Sequence, residues 1–237
     1  MRLVCFPYAG GGASVYRPWS PLVPADLELW SVQPPGREER LFDPPHYRMD
    51  DLISAVEREL AALPELPTAF FGHSLGAVTA WETARRLSSS GEDILHLFVS
   101  GCRALPAIHR DRRDLHDLSE EGLIEEIRRM NGTPDEVLAN IDLMRLLLPS
   151  FRADYRVLSD YRYEDSGETR FPVTVYGGRD DPAVELADLT AWSAVVHRPV
   201  EPLVLPGDHF FLNGARTMIV EGVSERIFQT LRSVEWS

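Results

Sequence analysis

Lysine is absent from this chain: all 24 basic residues among its 237 are arginine. Without lysine there is no Schiff base to a carbonyl substrate, no pyridoxal attachment and no P-loop, whose lysine reaches the nucleotide phosphates. Cysteine is scarce. Cys5 and Cys102 stand alone in apolar surroundings, with neither C-x-x-C nor metal-ligand spacing, so both read as reduced core thiols and no metal is expected. Neither H-E-x-x-H nor an EF-hand loop occurs, and no bound cofactor is implied. No apolar run reaches the roughly 18 residues of a transmembrane helix, and no leader pattern opens the chain, so the expectation is a cytoplasmic protein. Positive charge is also short. Thirty-seven acidic residues leave a net charge of −13, which argues against nucleic acid and anionic membranes as partners.

What is present is enough apolar sequence, 44% of the residues, for one sizeable core. Short β-rich runs recur near residues 3–6, 27–33, 68–72, 94–100, 173–176 and 201–205, with helical patterns between most of them. That alternation predicts an α/β fold with a doubly wound, mostly parallel sheet. From about 115 to 165 the β pattern gives way to amphipathic helix, opened by Ser119 as N-cap. The expected organisation is a single domain over 1–237 with an inserted helical lid.

One stretch carries the chemistry. Gly72-His73-Ser74-Leu75-Gly76 follows the apolar run Thr68–Phe71 and precedes a helical pattern from Leu75 to Leu87. A serine between two glycines at a strand-to-helix turn is a nucleophile elbow: the strained turn lifts the hydroxyl above the sheet and aims the next backbone N–H at the substrate carbonyl. Serine is a weak nucleophile at neutral pH and needs a base, which in turn needs an orienting acid, in the chain order serine, acid, histidine. Val173–Tyr176 runs into Gly177-Gly178-Arg179-Asp180-Asp181-Pro182, where two carboxylates compete for the acid's place. Asp181 is preferred for its register with Gly178 and Val184, and Asp180 stays open as the alternative. Leu203–Leu205 leads through Pro206-Gly207-Asp208 to His209, the candidate base. The other histidines read differently. His73 should point away from the nucleophile and pack or hydrogen-bond, while His46, His96, His109, His116 and His197 read as solvated.

The second oxyanion donor, beside the N–H of Leu75, is sought in Pro7-Tyr8-Ala9-Gly10-Gly11-Gly12-Ala13, where glycine lets backbone approach a ligand. Ala9 is assigned, with Tyr8 as the neighbouring alternative. A dinucleotide site is excluded, because the G-x-G-x-x-G spacing is missing.

Five segments together are specific: Phe6–Ser14, Gln33-Pro34-Pro35-Gly36-Arg37-Glu38-Glu39-Arg40, Gly72–Ala77, Gly177–Pro182 and Gly207–Phe211. Spanning nearly the whole chain in order, they resemble the type II thioesterases, discrete α/β-hydrolases that accompany polyketide synthases and nonribosomal peptide synthetases. The resemblance implies an α/β-hydrolase fold and hydrolysis of stalled or wrongly primed acyl groups from the phosphopantetheine arms of acyl or peptidyl carrier proteins. It places the nucleophile at Ser74, the base at His209, the acid at Asp181 and the oxyanion donors at Ala9 and Leu75, in a protein expected to be monomeric. Carrier proteins are typically acidic, so docking onto this acidic chain should use arginine clusters: Arg37 with Arg40, Arg110 with Arg112 and Arg113, or Arg152 with Arg156. In the lid, Met130, Met144, Leu148 and Phe151 are the candidates to line an acyl channel.

Overall fold

The computed structural model of the chain describes residues 1–110 and 114–235. Arg112 and Arg113 of the expected docking cluster lie outside them. Along the chain run β1 (Arg2–Phe6), β2 (Glu28–Ser31), α1 (Met49–Ala61), β3 (Thr68–His73), α2 (Leu75–Ser89), β4 (Ile94–Ser100), α3 (Glu120–Met130), α4 (Asp135–Ala139), α5 (Ile141–Asp160), β5 (Val173–Gly178), α6 (Leu186–Thr190), α7 (Trp192–Val195), β6 (Leu203–Leu205), α8 (Phe211–Gly214) and α9 (Arg216–Glu235). A 3-10 segment, Ala13–Leu22, joins β1 to β2.

The strand order is β2-β1-β3-β4-β5-β6, and every pairing is parallel. Parallel strands covered on both faces need apolar residues at every position rather than at alternate ones. β1 and β4 are buried at every residue. The pleat then deals alternate side chains to two cores. Val4, Phe6, Phe70, Leu97, Val99 and Val175 meet α1, α2, α6 and α7 on one face. Leu3, Cys5, Ala69, Phe71, Phe98 and Tyr176 meet the 3-10 segment, α8 and α9 on the other. Winding reverses between β1 and β3, so a crevice opens at their carboxyl ends, the usual place for a ligand in an open α/β sheet.

The edge strands are shorter than the sequence suggests. β2 stops at Ser31, where its pairing with β1 ends opposite Cys5, and β6 begins after Pro202, which has no N–H to give to the ladder. The helical stretch after β5 is two short pieces, α6 and α7, meeting at Ala191.

Helices α3 to α5, inserted between β4 and β5, have a small core of their own made of Leu123, Ile127, Leu138, Met144, Leu148 and Phe151. The Ser119 hydroxyl caps α3 by accepting the Gly122 N–H at 3.1 Å, as its position in the sequence suggested. Among the described residues no helix is long and apolar enough to cross a membrane.

His96 corrects one expectation. It is 5% exposed within β4, stacked on Phe98 at 4.2 Å, with Nε2 and Nδ1 on the hydroxyls of Thr174 and Thr230. Burial, helped by Arg226 and Arg198, pushes its pKa down to about 3. A histidine in a strand covered on both faces has no route to solvent. Cys5 and Cys102 are free and buried, and burial raises the Cys102 thiol to about 12 against the opposing pull of Arg103.

Candidate active site

Ser74 stands between β3 and α2 with φ 55° and ψ −119°. A non-glycine residue there stores roughly 1–3 kcal/mol of strain, which surrounding contacts must offset. The Ser74 N–H donates to the Ser100 carbonyl of β4 at 2.9 Å, and the glycines on either side remove the collisions. A Cβ on Gly72 would strike the Gly76 carbonyl, and one on Gly76 would strike the Phe6 and Pro7 carbonyls. Both obstacles are backbone, so neither can swing aside. α2 starts at Leu75, whose N–H is one of the unpaired donors of a helix N-terminus, where the helix dipole favours negative charge.

The loops after β5 and β6 are tied together by backbone. Arg179 N–H donates to the Leu205 carbonyl at 2.8 Å and Asp180 N–H to the Gly207 carbonyl at 2.9 Å. Gly178 lets them meet, since a Cβ there would overlap the Asp208 carbonyl. As a result His209 Nδ1 lies 2.8 Å from Asp181 Oδ2, with side chains 5% and 0% exposed. The other carboxylate oxygen accepts the N–H groups of Ala183 at 2.8 Å and Val184 at 3.2 Å, which orient the carboxylate. Asp180 is exposed. Of the two carboxylates, the structure brings only Asp181 to the imidazole.

His73 is fully buried, its Nδ1 2.9 Å from the Ser100 hydroxyl and its ring 5.2 Å from that of His209. Burial first, then His209, hold its pKa well below the usual histidine value. Nε2 has no partner in hydrogen-bonding geometry, although the nearby His209 backbone slightly favours its protonation.

Two cavities, of about 390 and 240 Å³, meet at Ser74, His209, Met130 and Tyr155. The larger also takes in Leu75, Arg103, His109 and Leu158. The smaller is bordered by the loop Tyr8–Gly12 and by Ile127, Val137, Leu147 and Phe151. Ala9 and Leu75 therefore border the same space as Ser74, and so does Tyr8. Among the channel candidates, Met130 and Phe151 reach cavity walls. Met144 and Leu148, 1% and 5% exposed, face the insertion's own core instead, and Leu147 takes the cavity side. The helical pattern located the apolar stripe of α5 but not which of its edges faces the sheet. Tyr155, at the junction of the cavities, was missed because nothing in sequence separates it from any half-buried aromatic.

The arginine clusters also divide. Arg37, expected at a docking surface, is 3% exposed and paired with Asp154. Arg152 donates through Nη1 to the carbonyls of His116 and Leu118. Arg40, Arg110 and Arg156 are exposed, each beside an acid: Asp43, Asp188 and Asp160.

An elbow serine at the carboxyl edge of a parallel sheet, with helices on both faces, is the architecture of the α/β-hydrolases. The thioesterase domain model matches residues 1–230, and this chain belongs to that family, with the type II thioesterases as its structural neighbours. It is 39% identical over 228 residues to the gramicidin S biosynthesis protein GrsT of Aneurinibacillus migulanus, covering 96% of this chain and 89% of that one. The type II thioesterase BorB of the borrelidin biosynthetic cluster superposes with a TM-score of 0.85 at 35% identity, covering 95% and 92% of the two chains. The RedJ thioesterase of the prodiginine pathway in Streptomyces coelicolor gives 0.83 at 36%, covering 95% and 85%.

Proposed function

We propose that this thioesterase acts in trans on acyl or peptidyl carrier proteins of polyketide or nonribosomal peptide biosynthesis, hydrolysing stalled or wrongly primed acyl groups from their phosphopantetheine arms. The biosynthetic settings named for its relatives support the substrate class. One observation carries the mechanism: Asp181 holds His209 at 2.8 Å, and His209 shares two cavities with Ser74.

With Nδ1 engaged by Asp181, the imidazole offers Nε2 to Ser74 as the base, and the carboxylate stabilises the cation that results. Ser74 Oγ adds to the thioester carbonyl as its proton passes to Nε2. The oxyanion is received by the N–H groups of Leu75 and Ala9, donors already in place before charge develops. Collapse breaks the C–S bond and expels the arm's thiolate, which takes the proton from His209 and leaves as the thiol. A thiol with a pKa of about 8.5, by analogy with cysteine, leaves with far less acid assistance than an amine, so acylation is fast. His209 then takes a proton from water as the water adds to the acyl-Ser74 ester, and returns it to Ser74 Oγ as the carboxylic acid leaves; that step limits turnover. Helices α3 to α5 form the lid, with Met130, Leu147 and Phe151 against the acyl chain. The protein works as a cytoplasmic monomer, and carrier docking is weak and transient, through exposed arginines such as Arg40 and Arg156 that are already partly neutralised.

The test is to load a phosphopantetheinylated carrier with short and long acyl groups and follow release by intact mass, beside the same groups on coenzyme A and beside Ser74→Ala. Release that is faster from the carrier, tolerant of chain length and abolished by Ser74→Ala is expected. Ser74-dependent activity on coenzyme A or oxygen esters alone would retain the mechanism and overturn the substrate class.

A further inference from the structure

The segment Gln33 to Glu38 has no part in this mechanism, yet it wraps the glycine loop that follows β1. Gln33 Oε1 accepts the Ala13 N–H at 2.9 Å, and Arg37 donates to the Gly11 carbonyl at 3.2 Å. Glu38 accepts from the Ser14 N–H at 3.2 Å and from its hydroxyl at 2.5 Å. From the opposite side, Asp154 of α5 accepts the Gly10 N–H at 2.7 Å. Arg37 and Asp154 join directly in a two-pronged pair, Nη1 to Oδ2 at 2.5 Å and Nη2 to Oδ1 at 2.9 Å, with side chains 4% and 9% exposed. Two more contacts seat α5 on this loop: the Ser150 hydroxyl donates to the Gly36 carbonyl, and the Phe151 ring occupies the space a side chain at Gly10 would need.

We propose that Arg37 and Asp154 are positioning residues for the oxyanion loop: together they set the backbone of Gly10 and Gly11, aim the adjoining Ala9 N–H, and make that aim depend on the lid being seated. The proposal rests on the hydrolytic reading above. A loop with three successive glycines has no preferred conformation of its own, and Gly10 sits at φ 79°, so its shape must be imposed from outside. Oxyanion stabilisation is effective only when donors are held in place beforehand, and a displacement of about 1 Å can cost about 100-fold in rate. A buried ion pair is a poor choice for adhesion alone, since packed apolar residues hold two elements at least as well. What apolar residues cannot do is accept the Gly10 N–H and donate to the Gly11 carbonyl. The planar guanidinium fork also fixes direction, which a point charge would not.

The experiment compares wild type with Asp154→Ala, Asp154→Asn and the apolar double variant Arg37→Met/Asp154→Leu, with Ser74→Ala alongside. The readouts are kcat and KM on an acyl carrier protein, affinity for an alkyl boronate, whose tetrahedral anion occupies the oxyanion hole, and Tm. Asp154→Ala should lower kcat by about 10- to 100-fold with little change in KM, and weaken the boronate by a similar factor. Asp154→Asn, which keeps an oxygen facing Gly10, should recover part of both. The double variant should regain Tm without regaining kcat. A role confined to holding the lid predicts the reverse, so a stable double variant with wild-type kcat and boronate affinity overturns the proposal. Should Asp154→Ala fail to fold, the asparagine and double variants decide the matter. Hydrolysis that survives Ser74→Ala would overturn the mechanism and this inference together, whereas an inactive Ser74→Ala beside a fully active double variant overturns the inference alone.

Discussion

The sheet and the lid both border Ser74, but they hold their groups in place by different means. On the sheet side the constraints are backbone against backbone: the elbow glycines face carbonyls, and the β5 and β6 loops are tied by main-chain hydrogen bonds. The lid has a core of six buried residues, and it reaches the rest of the molecule through side chains such as Asp154 to Arg37, Tyr161 to Glu82 and Asn131 to Asp208. In the proposed reaction Ser74, Asp181 and His209 sit on the backbone-held side, while the glycine loop after β1 takes its shape from both. The proposed acyl chain, which varies, would meet the side held by side-chain contacts.

The sharpest test of this contrast lies within the acid loop. Asp181→Asn should lower kcat on an acyl carrier protein by about 10⁴-fold, because the imidazole loses the partner that sets its tautomer, whereas Asp180→Asn should stay near wild type. A comparable loss at Asp180 would mean the loop is less rigid than its backbone bonds imply. Gly76→Ala comes next. With only backbone to push against, it should cost about 3–5 kcal/mol in urea unfolding or prevent folding, while Gly132→Ala in the lid, where the added methyl meets the movable Phe210 ring, should cost about 1–2 kcal/mol. Equal costs would erase the distinction.

Within the lid, Met144→Ala should cost about 2–5 kcal/mol and leave chain-length preference alone, because Met144 packs inward. Met130→Ala, on a cavity wall, should instead shift that preference by about 10-fold with a smaller loss of stability. Competition between acyl carriers of different lengths separates the two. The smallest effect is a pH dependence that belongs to the sheet. His96 binds its proton far less readily in the folded chain, with a pKa of about 3, than in the unfolded chain at about 6.5, and His73 is shifted the same way. The unfolded state therefore binds more protons below pH 6.5, so the stability is complete above that value and is lost as pH falls towards 3. The slope is about 1.4 kcal/mol per pH unit for His96, and His73 acts in the same direction. His96→Gln should flatten the curve by one such slope in urea unfolding at pH 7 and pH 5, and an unchanged slope would show that the imidazole is not kept neutral.

The elements legible in sequence are those whose signal is local. β1, β3 and β4 were placed within a residue at either end, since fully covered parallel strands are continuous apolar runs, and Ser119 marked the start of α3. His96 was readable as well. Its place inside a strand expected to be covered on both faces implied burial. The end of β2 was not legible, because its pairing stops at Cys5 and Ser31 and that partner lies elsewhere in the chain, whereas Pro202 marks locally where β6 cannot yet begin.

The sequence by itself determined the order of the candidate groups: a tight strand-to-helix turn that only glycines around Ser74 can form, then the loop of Asp180 and Asp181, then His209. Collisions within a few residues are written locally and survive any change of surroundings. Tertiary structure decided what depends on facing. It brought Asp181 rather than Asp180 to the imidazole, turned Leu147 to the cavity and Met144 away from it, and buried Arg37 against Asp154, 117 residues distant. Neighbouring residues of one type are equivalent in composition and pattern until the fold gives one of them a partner and the other only water.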